Sequence, residues 1–362
     1  MKPGTLLKTS LLSLTTLTFA GMLSGCGQAV FPNNTTGTAA TNTSQSGKSN
    51  GASTASGGAK KSGAATSTAP VWPTVHFTAL HTLPVDMLGD ALAIDPAGNP
   101  VISGGYTGAY SLTGVVRVNP TGAPVVLANL PQPTHDAAAG YIGSALYVFG
   151  GGQNASYNSI TKVSHGQVSS AGTLPDYLSD ATAVPYRWQG QSGLLIVGGY
   201  NGQAFNRTVR FASVGSSGLT LQDVFTMPVG LRYIAATALG NSVAYAGGLT
   251  TSGSITNTVY LWSPSHGVQL IAHLPHALQK AAAFHVGSRY LLVAGGLLAN
   301  GQPSTTIYGI DLVTKQVQVI GQLPSPLADM GYAQSGNTGY ITGGEPTASY
   351  TQATNAAWKL SL

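Results

Sequence analysis

Acidic residues are scarce in this sequence, and their placement is the first pointer to chemistry. Of the ten Asp and Glu residues, six (Asp86, Asp90, Asp136, Asp176, Asp180 and Asp329) follow closely on a recurring Leu-Pro dipeptide or a near copy of it. Counted from the Leu, or from Met227 in one copy, the sixth position holds Asp136, Asp180, Tyr233, Lys280 and Asp329, and Asp90 falls one residue later. His135, Arg232, His276 and Gln279 flank this series. Carboxylates brought together repel one another unless a positive group joins them. Arg232, Lys280 or a bound Ca²⁺ could take that part. Asp ahead of a strand also caps turns by accepting nearby backbone N–H bonds. Two readings therefore stand side by side: turn capping and channel solvation, or a ligand site made of Asp90, Asp136, Asp180, Tyr233, Lys280 and Asp329.

What would hold these residues together is a repeat. Six apolar runs each end in a glycine pair: Gly104-Gly105, Gly150-Gly151, Gly198-Gly199, Gly247-Gly248, Gly295-Gly296 and Gly343-Gly344. Successive pairs are 46 to 49 residues apart, a period that belongs to repeat architectures. Each unit reads Leu-Pro, small-residue apolar run, turn, apolar run with the glycines, polar loop, alternating segment, and a last segment leading into the next Leu-Pro. Four short strands with close turn signals and no helical pattern make one antiparallel blade per unit. The last alternating segment, 356–360, has no fourth strand after it, while 75–84 has the form of a fourth strand before the first unit. The expectation is that this N-terminal strand completes the last blade and closes a ring, hiding two sheet edges.

In such blades the loop between strands two and three shares a face with the link from strand four to the next strand one. The Leu-Pro segments and the post-glycine loops, with Tyr106, Asn154, Tyr200, Asn201 and Glu345, are thus expected around one mouth of a central channel. Tyr186-Arg187-Trp188 is expected as an enlarged loop on the opposite face.

Glycine pairs closing a second strand at a period near 48 resemble the kelch-repeat β-propellers, over residues 72–362. The resemblance implies an all-β, six-bladed kelch-like propeller. The tyrosine and tryptophan that kelch blades carry after the glycines are mostly missing here; Tyr260, Trp262, Tyr308 and Trp358 are scattered remnants. Exported six-bladed kelch-like proteins of bacteria include the sialic-acid mutarotases. That likeness implies an isomerase acting on a carboxylated sugar, with Arg232 or Lys280 holding the carboxylate and Asp329 or Glu345 moving the proton.

Only 7% of residues are charged, against roughly 25% in an average domain. The formal charge of +5 comes from the five lysines before residue 70; the remainder balances. Nucleic-acid binding needs clustered Lys and Arg, and none is present. Residues 1–25 read as an export signal, with Lys2 and Lys8 before a short apolar run. The run ends in Leu23-Ser24-Gly25-Cys26, which resembles the bacterial lipoprotein box and implies a lipid on Cys26. Cys26 is the only cysteine, so no internal disulfide forms. Residues 26–71 then hold the lipidated cysteine and a Ser/Thr/Gly/Ala-rich tether, with a reach of roughly 35–40 Å over its flexible part. The expected address is extracytoplasmic, anchored to the cell membrane.

Motifs for zinc proteases, P-loops and serine hydrolases are absent, and no pair of cysteines could hold zinc. No cofactor is expected beyond the Ca²⁺ weighed above. The sequence thus points to a monomeric binding module for a glycan or an envelope protein, with the sugar isomerase as the alternative. With so few carboxylates to protonate, stability is expected to fall only mildly from neutral pH to about 3.

Overall fold

The computed structural model describes residues 69–362. The expected export signal, Cys26 and most of the expected tether lie outside the described residues. Within them the chain is all β-structure, in antiparallel sheets with no helix.

The first sheet runs in order through Ala91–Ile94, Pro100–Ser103, Leu112–Arg117 and Val125–Thr134. Two later sheets repeat the plan. One has Ala235–Leu239, Ser242–Ala246, Thr258–Ser263 and Gly267–His273, and the other Ala282–Val286, Tyr290–Ala294, Thr306–Asp311 and Val317–Gln322. Between the first sheet and these lies a seven-stranded sheet from Ala138–Ile142 to Gly218–Thr226. It is two such units fused, because the 22-residue strand Gln167–Trp188 pairs with Tyr157–Ser164 along its first half and with Gln191–Tyr200 along its second.

The final sheet combines Gly331–Ser335, Thr338–Thr342 and Ala357–Ser361 with His76–Ala79 from the other end of the described chain. Its register is His76 to Ser361 through Ala79 to Trp358. Trp72 lies beyond that strand and rests on Tyr290, ring centroids 5.7 Å apart.

Burial explains the strand types. The second strands Pro100–Ser103, Ala145–Phe149 and Tyr290–Ala294 are buried at every position, because sheets pack against both of their faces and an unbroken apolar run suits them. Apolar clusters sit at the seams between consecutive sheets. Tyr340 and Ala357 of the last sheet meet Leu92, Ile102 and Val118 of the first in the same manner. The innermost strands are rich in alanine, since strands converging on an axis leave little room for side chains.

The glycine pairs stitch one sheet to the next. The second glycine donates its N–H across the seam: Gly105 to Thr134, Gly151 to Leu178, Gly248 to Leu278, Gly296 to Leu327, and Gly344 to Met87, all at 2.8–2.9 Å. At Gly343, φ is +59° and a Cβ would stand 2.5 Å from the Met87 carbonyl oxygen. Only glycine fits that approach.

Tyr186-Arg187-Trp188 departs from expectation. It is strand, not loop tip. The Tyr186 hydroxyl donates to the Asn241 carbonyl at 2.7 Å, and Trp188 packs 5.7 Å from Trp262. Tyr186 is buried in a seam and Trp188 is half-buried against it, while Arg187 is exposed.

Candidate functional site at the channel mouth

The residues six positions after the Leu form a ring of main-chain hydrogen bonds. Asp136 donates its N–H to Gly89 (2.7 Å), Asp180 to Asp136 (2.8 Å), Tyr233 to Asp180 (3.2 Å) and Lys280 to Tyr233 (2.9 Å). Asp329 donates to Lys280 (2.9 Å), and Gly89 returns the bond to Asp329 (2.8 Å). Every member is left-handed, with φ between 54° and 58°. That conformation costs a non-glycine residue roughly 1–3 kcal/mol and persists where its surroundings over-determine it. Here the neighbours on both sides fix each peptide.

In the first repeat the ring member is Gly89, not Asp90. A Cβ at Gly89 would stand 2.5 Å from Asp136 Oδ1, so the neighbouring carboxylate takes the space of a side chain. Asp90, one step on, turns toward the last sheet. Its carboxylate accepts from the Thr342 hydroxyl at 2.7 Å and from the Gly331 N–H at 3.2 Å. Burial, opposed by these bonds, lifts its pKa to about 7.

Charge at the mouth is largely settled within the protein. Lys280 Nζ lies 2.6 Å from Asp329 Oδ2 and 3.9 Å from Glu345 Oε2. Burial pulls the Lys280 pKa down, but Asp329, Asp136 and Glu345 outweigh it and hold the ammonium above its usual value. Arg232 Nε stands 3.1 Å from Asp180 Oδ2, in charge contact outside hydrogen-bond alignment, and its guanidinium also bonds the Tyr233 hydroxyl. Aromatic rings cover both cations. The Arg232 guanidinium lies 4.2 Å from the Tyr233 centroid and 5.0 Å from that of Tyr200, and Lys280 Nζ lies 4.8 Å from Tyr233 and 5.3 Å from Tyr350.

Asp136 has no such cation of its own. Burial, then the charges of Asp329 and Asp180, push its pKa well above the usual carboxylate range, and its side chain hydrogen-bonds that of Asp180. Burial likewise raises Glu345 and Tyr233 and lowers His135. His135 Nε2 lies 3.8 Å from Asp136 Oδ2, and its Nδ1 is hydrogen-bonded to Ser111 Oγ at 2.9 Å. Around the rim, Tyr106 stacks on Tyr350 at 5.1 Å and lies 5.2 Å from the His135 ring.

The structure thus gathers Asp90, Asp136, Asp180, Tyr233, Lys280 and Asp329 around one chamber of about 90 Å³, with Arg232 and Glu345 on their flanks. It leaves out Asp176, which is exposed and faces Arg210 at 3.8 Å, and exposed His276. Among the described residues no group of three or more His, Cys, Asp or Glu side chains is placed to hold a metal ion. Chemically, the chamber can accept hydrogen bonds from hydroxyls and hold a proton at Asp136.

The floor of the chamber is Tyr332, which sequence reasoning missed. Its hydroxyl accepts from the Ala236 N–H at 2.9 Å and lies 3.3 Å from the Ala236 carbonyl and 3.5 Å from Thr182 Oγ1, so the side chain crosses the channel. The signal was available. Three residues after each ring member stand Leu92, Ala139, Ala183, Ala236 and Ala283, and then Tyr332.

No protein-family model and no curated protein sequence matches the chain significantly. Among solved structures it is similar to one titled "Structure of YjhT", with a TM-score of 0.66 and 17% identity over 78% of this chain and 97% of that chain. At that identity the likeness speaks to fold alone, and the fold is a β-propeller.

Proposed function

We propose that the chain is an exported lipoprotein whose six-bladed, kelch-like propeller is a binding module for neutral, hydroxyl-rich glycans, with an envelope protein as the other partner class. The six-membered main-chain ring, the Gly344–Met87 stitch and the pairing of His76–Ala79 with Ala357–Ser361 support six blades and closure. The leader and Cys26 support export and a membrane anchor. The protein acts as a monomer.

The observation that carries the ligand class is the pairing of Lys280 with Asp329 at 2.6 Å, both side chains at most 8% exposed. With Arg232 held by Asp180, neither cation is free to clamp a carboxylate. The mouth therefore offers carboxyl and phenol oxygens beside the stacked faces of Tyr106 and Tyr350, a surface suited to hydroxyl donors and apolar ring faces. On an array of neutral and sialylated glycans, with envelope extracts alongside, the purified protein is expected to bind neutral glycans saturably. Tyr106→Ala should weaken that binding at least tenfold. Binding to neither array nor extract, or to sialylated glycans alone, overturns the reading. For the anchor, labelled fatty acid should enter the wild type and not Cys26→Ala.

A second reading is the sugar isomerase. What favours it is the buried Asp136 beside Asp180, since a carboxyl that its surroundings hold protonated can serve as a general acid. The propeller likeness is compatible with it. Arg232 or Lys280 would hold the sugar carboxylate, and Asp329 or Glu345 would relay the proton. NMR of α/β anomer exchange in a carboxylated sugar decides: acceleration by the wild type, lost in Lys280→Met, favours the isomerase, and no acceleration ends it.

A further inference from the structure

The channel has a second chamber on the far side of Tyr332, about 540 Å³ in volume and so several times larger than the one at the ring. Alanines of the innermost strands line it, with Thr237, His285, Gln334, Ser335, Tyr141 and Tyr332 among its polar side chains. No Lys or Arg reaches it. Asp95, at its outer edge, is already bonded by the N–H groups of Ala97 (2.9 Å) and Asn99 (2.8 Å) and by the Asn99 amide.

Two positions of the wall, Ala236 and His285, are closed to hydrogen bonding. An innermost strand has one edge paired to its own sheet and one facing the channel, so every second residue turns its N–H and C=O inward. In the last sheet, Tyr332 and Gln334 reach across and satisfy such groups. Tyr332 does so at Ala236, and Gln334 binds both the N–H of His285 (2.8 Å, to Oε1) and its carbonyl (2.7 Å, from Nε2).

The rest of the wall is open. By the same alternation, Leu92 and Ile94 of the first sheet, Ala139 and Tyr141 of the second unit, and Ala183 and Pro185 of the third turn their main-chain groups inward. No described residue crosses the channel to meet them. Pro185 fits this register, because its missing N–H removes no ladder bond there. His285 Nδ1 contacts Thr237 Oγ1 at 3.2 Å, which leaves Nε2 without a protein partner. The Tyr141 hydroxyl makes no hydrogen bond either. Desolvation lowers the His285 pKa, so the ring is neutral at physiological pH.

We infer that this chamber is a binding site for a small uncharged amide, of the size and kind of a cyclic dipeptide. The open edges offer alternating donors and acceptors, which a planar amide with both an N–H and a C=O complements. Alanine walls accept its apolar substituents. An anionic ligand would find no Lys or Arg in the chamber, and its one carboxylate, Asp95, is already engaged by two main-chain N–H groups and the Asn99 amide. The assignment is independent of the glycan reading, because Tyr332 separates the two chambers.

The test is isothermal titration of the purified chain with cyclo(Gly-Phe), cyclo(Ala-Leu) and cyclo(Gly-Ser). The open-chain zwitterions of the same composition serve as charged counterparts. At least one cyclic dipeptide is expected to bind saturably at one site per chain, with its zwitterion at least tenfold weaker. Ala238→Leu and Ala333→Leu each fill part of the chamber from half-buried positions, and each should weaken binding at least tenfold while far-UV circular dichroism stays that of the wild type. Absence of saturable binding by all three, equal affinity for the zwitterions, or affinity unmoved in both folded variants overturns the inference.

Discussion

Lys280 and Asp329 are neighbours twice over. Asp329 donates its N–H to the Lys280 carbonyl at 2.9 Å, and its carboxylate meets the Lys280 ammonium at 2.6 Å. Backbone and side chain thus join the same two repeats, so the pair that neutralises the mouth also sets its geometry. Removing one partner of a buried pair leaves an uncompensated charge, at a cost of roughly 3–5 kcal/mol. Lys280→Met is expected to lose that much stability in urea denaturation at pH 7, with Asp329, Asp136 and Glu345 left facing one another. Lys280→Met/Asp329→Leu should recover at least half of the loss. A single variant within about 1 kcal/mol of the wild type would mean the charge is solvated through the chamber.

Asp90 governs how stability depends on pH. Its folded pKa of about 7 lies above the ordinary 3.8, so between those values the folded chain holds a proton that the unfolded chain has released. The protein is therefore stabilised as pH falls from about 8 toward 4, and loses that stabilisation as pH rises through 7. Asp136 acts in the same sense. Asp311 works the other way. Its pKa is held down to about 2, chiefly by Arg289, and its contribution is lost only as pH falls from about 4 to 2. Sparse acids alone suggest a mild decline on acidification; above pH 4 the buried Asp90 and Asp136 oppose that decline, while His135 and His285, whose pKa values burial lowers, add to it. The ceiling for Asp90 is about 4 kcal/mol, and Asp90→Asn should recover about 1–3 kcal/mol of it at pH 8. Melting curves of the two proteins should converge near pH 4.5. A constant gap between them would show that Asp90 does not titrate in this range.

The strand His76–Ala79 should be required for a stable last sheet. It covers one edge of Ala357–Ser361, and Phe77 and Trp72 pack on an apolar cluster with Leu360 and Leu323. Deleting residues 72–79 bares a sheet edge and part of that cluster. Such edges pair with other chains. The deletion is expected to lower the melting temperature by at least 10 °C and to produce oligomers in light scattering. A monomer with wild-type melting would show that the strand is dispensable.

The period and the glycine pairs were readable because the pair is a steric necessity repeated in every unit: a Cβ at Gly343 meets a carbonyl oxygen, so no substitute hides the pattern. The ring was readable at Asp136, Asp180, Tyr233, Lys280 and Asp329 through a common offset. It was misplaced by one residue in the first repeat because side-chain type served as the marker. What recurs there is a left-handed backbone, and Gly89 supplies it without an acid. Tyr332 stood in plain view among alanines, but its reach to Ala236 depends on channel width, which no local pattern encodes. The larger chamber is the least legible, since much of its polar surface is main chain and its polar side chains follow no common offset among the alanines.

Gly331 is where space and charge are most tightly linked. It takes the place held by Ala91, Ala138, Ala235 and Ala282 in other repeats, and a Cβ there would stand 2.2 Å from Asp90 Oδ2 and 2.6 Å from Thr342 Oγ1. Its φ is not left-handed, so alanine meets steric conflict alone. Gly331→Ala is expected to cost about 1–3 kcal/mol by overpacking. Asp90→Ala relieves the crowding but leaves the Gly331 N–H and the Thr342 hydroxyl unpaired, a loss of about 1–3 kcal/mol. If the glycine exists to admit the carboxylate, the two changes are coupled. Asp90→Ala/Gly331→Ala should then be more stable than the sum of the single losses by at least 1 kcal/mol. Additivity within about 0.3 kcal/mol would show that the glycine serves something other than room for Asp90.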